Sequence, residues 1–158
     1  MQSVFVLCQN YPSEKDKYPM AFVHPRIKEY LKTGLDVKVI SFACNCPYIY
    51  DEVRVYTLQA GKELLQKSEK AILIAHAPNI KNHLSFILKI WKYLDRLILF
   101  FHGHEVLSTK KYYPRPYDFN KAAKREYRFL RLYDQIKLPV MRYYLKKFVA
   151  SGKCDLVF

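Results

Sequence analysis

Two hydrophobic periods alternate along this chain, and that alternation limits it to very few folds. Short, nearly uninterrupted apolar runs occupy residues 4–8, 35–42, 71–75 and 96–101, and residues 52–56 alternate apolar with polar. Runs of this kind, bounded by turn residues, read as strands. Between them, apolar residues recur at three- and four-residue intervals over 22–31 (Phe22, Ile27, Leu31), over 58–70, and over 79–94 (Leu84, Ile87, Leu88 and Trp91 on one side). That longer period predicts helices. Strands that alternate with helices imply right-handed crossovers and a mainly parallel sheet. The expected fold is therefore α/β, a Rossmann-like sheet covered by helices on both faces.

Punctuation residues set the boundaries. Pro25 fits only the first turn of a helix, Gly34 stands where a helix C-terminus favours it, and Asn79 can cap a helix start. A long helix is expected over 120–150, with Pro139 as its break. Residues 151–153 then release the chain into a last apolar run, 154–158. A natural domain rarely stops inside a core strand, so residues 1–158 read as one domain of a longer protein. The opening Met1-Gln2-Ser3 runs straight into the first apolar run without a basic leader or cleavage site, which predicts a cytoplasmic protein. Even the most apolar stretch is interrupted by Lys89, Lys92, Asp95 and Arg96, so no membrane span is expected.

Charge is the compositional anomaly. The formal net charge is +13, and residues 121–147 hold nine Lys or Arg against Glu126 and Asp134, a surplus of seven. Lys121, Lys124, Arg125, Arg128 and Arg131 recur at helical spacing, with Ala123, Tyr127, Leu130 and Tyr133 opposite, which predicts one basic face and one packed face. Such a face is solvated, or docks on an anionic membrane, or binds nucleic acid. The interleaved aromatics exceed what solubility requires and favour the membrane. Nucleic acid is the weakest of the three partners, since no RNP, KH or helix-turn-helix signature is present. Four cysteines are too few for a disulfide framework, and Cys44-Asn45-Cys46 has the wrong spacing and no second pair for zinc. Three of the four, Cys8, Cys44 and Cys154, sit in or beside apolar runs, as buried thiols do.

Several pieces in order resemble a known family. They are the opening strand-loop-helix VFVLCQNYPSEKDKYPMAFVHPRIKEYLKTGLDVKVISF, the pair AILIAHAPN and LILFFHGHE, and the closing FVASGKCDLVF. Together they resemble the N-terminal half of glycosyltransferase family 4, retaining enzymes of the GT-B fold. The matching positions are Gly34-Leu35-Asp36-Val37 after the first helix, His76 ending one strand, His102-Gly103-His104-Glu105 ending another, and Cys154-Asp155 near the end. The resemblance implies a nucleotide-sugar donor held mainly by a following C-terminal domain and a glycan or lipid-linked acceptor met by this half. It implies no cofactor and no metal. One departure is Met20, which stands where some members carry glycine in the loop before the helix.

The candidate site residues follow from strand ends and from that resemblance. In α/β sheets ligands bind beyond the carboxyl ends of the strands. His102 is the candidate catalytic residue, in the cleft near the donor sugar, against the simpler role of capping a strand. His76 lines the acceptor side or is a satisfied core histidine. Gly103 and Glu105 follow in the same loop, with Glu105 divided between lining the cleft and capping a helix, while His104 is expected to be exposed. Gln9, Asn10 and Tyr11 follow the first strand and either bond an acceptor or close the loop. No glycine-rich phosphate cradle occurs, so a dinucleotide or P-loop site is not expected.

Overall fold

The computed structural model describes residues 3–158; Met1 and Gln2, read above as a leaderless opening, lie outside the described residues. Seven strands form one sheet: β1 (Ser3–Cys8), β2 (Asp36–Ser41), β3 (Tyr48–Tyr50), β4 (Val53–Tyr56), β5 (Ala71–His76), β6 (Leu94–Phe100) and β7 (Cys154–Val157). Their order across the sheet is β3-β4-β2-β1-β5-β6-β7. Every pairing is parallel except β3 with β4. The chain is thus α/β with a mainly parallel sheet. It builds outward from β1 on one side, then returns to build outward from β5 on the other.

Residue parity along β1 sorts the core. Val4, Val6 and Cys8 point to one face, where α1 (Val23–Lys32) lays down Val23 and Ile27. Phe5 and Leu7 point to the other, into a larger cluster with Leu73, Leu97 and Leu99. That face is covered by α2 (Leu58–Gln66), α3 (Ser85–Ile90) and α5 (Lys121–Ala150), which contribute Leu65, Ile87, Met141 and Phe148. The hydroxyl of Thr57 starts α2 by accepting from the backbone N–H of Ala60 at 3.2 Å. Cys8, Cys44 and Cys154 are buried thiols, as their apolar settings predict.

The differences from the sequence reading have physical causes. The expected helix over 79–94 is three pieces: a π turn (Ile80–Leu84), α3, and a 3-10 turn (Trp91–Tyr93). Asn79 does cap it, accepting from the N–H of Asn82 at 2.7 Å. The wide first turn shifts the phase of everything after it. Leu88, expected on the packed side, is exposed, and Phe86 and Ile90 join Ile87 in the core. Strand β6 begins at Leu94 rather than Arg96. The β3–β4 hairpin turns on Asp51 and Glu52, both left-handed with φ of 43° and 68°. Such a turn favours Asn-Gly, and without that pair the hairpin carries no sequence signal. A single turn of helix, α4 (Thr109–Tyr112), interrupts the loop after β6.

Pro139 does not break the last helix, which runs unbroken from Lys121 to Ala150. Its ring removes the hydrogen bond to the carbonyl of Gln135, but both residues face solvent, where water replaces the donor. Packing beyond the proline, with Phe148 stacked on Trp91 at 4.7 Å, holds the second half in line.

Candidate functional site

Strands β1 and β5 are hydrogen-bonded neighbours, and the chain leaves them in opposite directions across the sheet. A crevice opens at the carboxyl ends of two strands that diverge in this way. Gln9 stands at its floor. Its Oε1 accepts from Asn82 Nδ2 at 2.9 Å and from Asn79 Nδ2 at 3.4 Å, bridging the exits of β1 and β5. Ala77 adopts φ of 48° and donates its N–H to the carbonyl of Phe100 at 2.9 Å, which ties β5 to β6 at the same edge.

Asn10 is half-buried, and Tyr11 is fully inside. The Tyr11 hydroxyl meets His24 Nδ1 at 2.6 Å, and His24 Nε2 meets Asp51 Oδ2 at 3.0 Å. The Tyr11 carbonyl accepts from the Tyr48 hydroxyl at 3.1 Å. Burial and the acidic groups around it push the Tyr11 phenol up, so it stays protonated. These contacts match loop closure, the plainer of its two roles. Met20, in the same loop, takes φ of 48°. Met20 thus takes a left-handed conformation that favours glycine, at a cost of about 1–2 kcal/mol.

His102 is exposed at the mouth of the crevice, with its ring edge-on to Phe22 at 4.8 Å and stacked near His76 at 5.8 Å. Gly103 follows with φ of 115°, a conformation that favours glycine. Glu105 is buried, and its Oε2 accepts the backbone N–H of His102 at 3.0 Å. It caps a loop rather than a helix, and it also faces the cleft. Its other oxygen makes no hydrogen bond, although His104 Nε2 stands 3.2 Å away. His104 itself is exposed, as expected. Lys137, buried on α5, donates to the His104 carbonyl at 2.6 Å and pairs with Asp134 at 2.7 Å.

His76 is fully buried at the end of β5, stacked on Phe100 at 4.9 Å. Behind the crevice lies a second buried histidine, His83, packed on Phe42 at 4.7 Å. Sequence reading missed His83 because a histidine in a helical stretch gives no sign of its burial. Neither ring has a hydrogen-bond partner on either nitrogen. Burial, His102 and Arg26 lower His76 to about 4, and burial and His76 lower His83 to about 4. Unfolded, both titrate near 6.5, so between pH 6.5 and 4 the unfolded chain binds more protons and stability falls as pH falls. Each histidine contributes up to about 1.4 kcal/mol per pH unit in that window. Urea unfolding should therefore show a loss of roughly 2–4 kcal/mol between about pH 7.5 and about pH 5. The His83→Phe variant should show a shallower loss. A flat profile, or one unchanged by that substitution, would mean that the two rings are hydrated.

On α5 the expected division into a basic face and a packed face is corrected. Lys121, Arg125, Arg128 and Arg131 are exposed, whereas Lys124 is half-buried and paired with Asp118. Phe129, Leu132, Ile136 and Tyr143 are also exposed, each 62–64%, at three-, four- and seven-residue spacing on the outward side. Leu130, expected to pack, is partly exposed as well. The outer surface is thus amphipathic in its own right. The helix packs on the sheet through Met141 and Phe148, and the opposite side, which nothing in the described residues covers, carries these apolar side chains.

Among the described residues, no three His, Cys, Asp or Glu side chains converge as metal ligands, and no helix is long and apolar enough to cross a membrane. No family model, curated protein or solved structure matches the chain.

Proposed function

We propose that this chain is the acceptor-side, Rossmann-like half of a retaining GT-B glycosyltransferase. The complete enzyme moves a sugar from a nucleotide-sugar donor to a cell-surface glycan or lipid-linked acceptor. The supporting observation is convergence: Gln9, His76, His102 and Glu105, chosen from separate motifs, meet at one crevice where the chain reverses direction across the sheet. In this reading His102, exposed at the mouth, contacts the reacting sugar. The nucleotide diphosphate is held mainly by a second domain, and neither metal nor cofactor is required.

In the full-length protein, His102→Ala is expected to lower kcat/KM by roughly tenfold or more while leaving the fold intact, because the ring is outside the core. Steady-state kinetics with a matched donor and acceptor, alongside circular dichroism, measure this. Unchanged kinetics would reduce His102 to a strand-end residue. No turnover by the full-length protein with any nucleotide sugar would remove the transferase reading itself.

The partner proposed for the outer face of α5 is an anionic membrane. Four exposed bases and four exposed apolar side chains on one surface suit an interface that is charged outside and apolar beneath. The competing reading is a non-enzymatic nucleic-acid module. It draws on the same bases and on the stacked, exposed rings of Tyr117 and Phe119, 5.5 Å apart.

A further inference from the structure

Beside the crevice, the inner surface of α5, the turn after β5 and the loop after β6 enclose a groove of about 520 Å³. That volume suits a small molecule. Its walls are mostly apolar or aromatic, with Pro78, Ile80, Tyr113, Tyr127, Leu130 and Met141 among them. At its inner end stands Glu105, 3% exposed, whose Oε1 lacks any hydrogen bond. A buried carboxylate oxygen without a hydrogen bond is costly; His104 Nε2 stands 3.2 Å from it without completing one, and a ligand hydroxyl in the groove would supply it.

We propose that this groove binds a neutral amphiphile, an apolar body bearing a hydroxyl-rich head, whose hydroxyl donates to Glu105 Oε1. The inference rests on the transferase reading above and names the acceptor class: a sugar carried on an apolar aglycone. Three features select that chemistry. The walls offer mostly apolar area for an alkyl or aromatic body, with polar groups such as Gln9, Asn79 and Thr109 set among it to meet a hydroxyl-rich head. Lys137, the buried cation of the lining, is already held by Asp134 and the His104 carbonyl and has no charge to spare for an anion. Glu105 and Glu126, both in the lining, repel a phosphate or carboxylate head. Glu105 cannot turn away either, because its Oε2 is fixed on the His102 backbone. Glu105 is thereby tied to the same loop as His102, whose ring is exposed.

The test needs no donor and no turnover. Monomeric n-octyl β-D-glucoside and methyl β-D-glucoside are titrated into the chain and followed by amide chemical shifts. The octyl glycoside should bind at least tenfold tighter, with shifts centred on Gly103 to Glu105 and Tyr127. Octyl phosphate should bind at least tenfold more weakly than octyl glucoside. Glu105→Gln, which keeps the shape and still bonds His102 through its amide oxygen, should weaken octyl glucoside roughly fivefold or more. Tyr127→Ala should reduce the octyl preference without altering the folded spectrum. Equal binding of the two glycosides, a preference for octyl phosphate, or unchanged affinity in a folded Glu105→Gln protein would overturn the proposal. Binding as described in a protein that transfers no sugar would instead leave the groove standing and remove only the transferase reading.

Discussion

Gly61→Val is expected to lower the unfolding free energy by about 3 kcal/mol or more. Helix α2 rests on the sheet through Gly61, and a Cβ there would stand 2.5 Å from Cγ1 and 2.6 Å from Cδ1 of Ile40. Ile40 cannot yield. It is fully buried, flanked by Leu7 on β1 and Tyr56 on β4, and β-branching restricts its rotamers. The helix must therefore lift from the sheet. Gly61→Ala should cost less, about 1–2 kcal/mol, because the gain in helix propensity offsets part of the clash. Denaturant unfolding measures both. Ile40→Ala in the Gly61→Val background should recover stability relative to the sum of the single changes. Strict additivity of the two would show that α2 relaxes without pressing on Ile40.

The outer face of α5 should carry the chain to the top of a flotation gradient with vesicles rich in phosphatidylserine. Each base near an anionic surface contributes up to about 1 kcal/mol, so reversing Arg125, Arg128 and Arg131 to Glu should weaken partitioning by on the order of a hundredfold or more. All three are exposed, so the fold should survive. Salt should release only part of the bound protein, because screening acts on the bases and leaves Phe129, Leu132 and Ile136 inserted. Leu132→Ser with Ile136→Ser should remove that salt-resistant fraction. Equal capture by neutral and anionic vesicles, or capture by neither, would end the membrane reading. Tighter binding to single-stranded RNA than to vesicles would put the nucleic-acid module in its place.

The sheet was legible because its strands are buried on both faces, and runs such as Val4 to Cys8 and Ala71 to Ala75 leave few alternatives. The ends of β5 and β6 were legible for the same reason, and with them His76 and His102. What lay hidden depends on contacts between distant residues. The weight on Gly61 comes from Ile40, twenty-one positions away by number, and no local pattern announces it. The burial of His83 depends on Phe42 across the sheet edge. The outward apolar residues of α5 look, in sequence, like the buried half of an amphipathic helix. Only the side of the helix that meets the sheet decides which of them find cover. The partners that hold Tyr11 in its loop gave no local signal either, because His24 sits on the next helix and His24 is in turn held by Asp51 on an unsignalled hairpin.

The placement of β1 between β2 and β5 also bears on synthesis at the ribosome. Its first partner is close behind it, with Val4 opposite Val37, but its second lies much further along, with Val4 opposite Ile72. Until β5 emerges, one edge of the most hydrophobic strand in the sheet stays open. The last strand, β7, must in turn wait for the whole of α5 before it can close on β6. Contacts of such separation form slowly, and open strand edges are where nascent chains associate. The early half, β1 through β4, is therefore the stretch most dependent on chaperone protection while the rest of the polypeptide is being made.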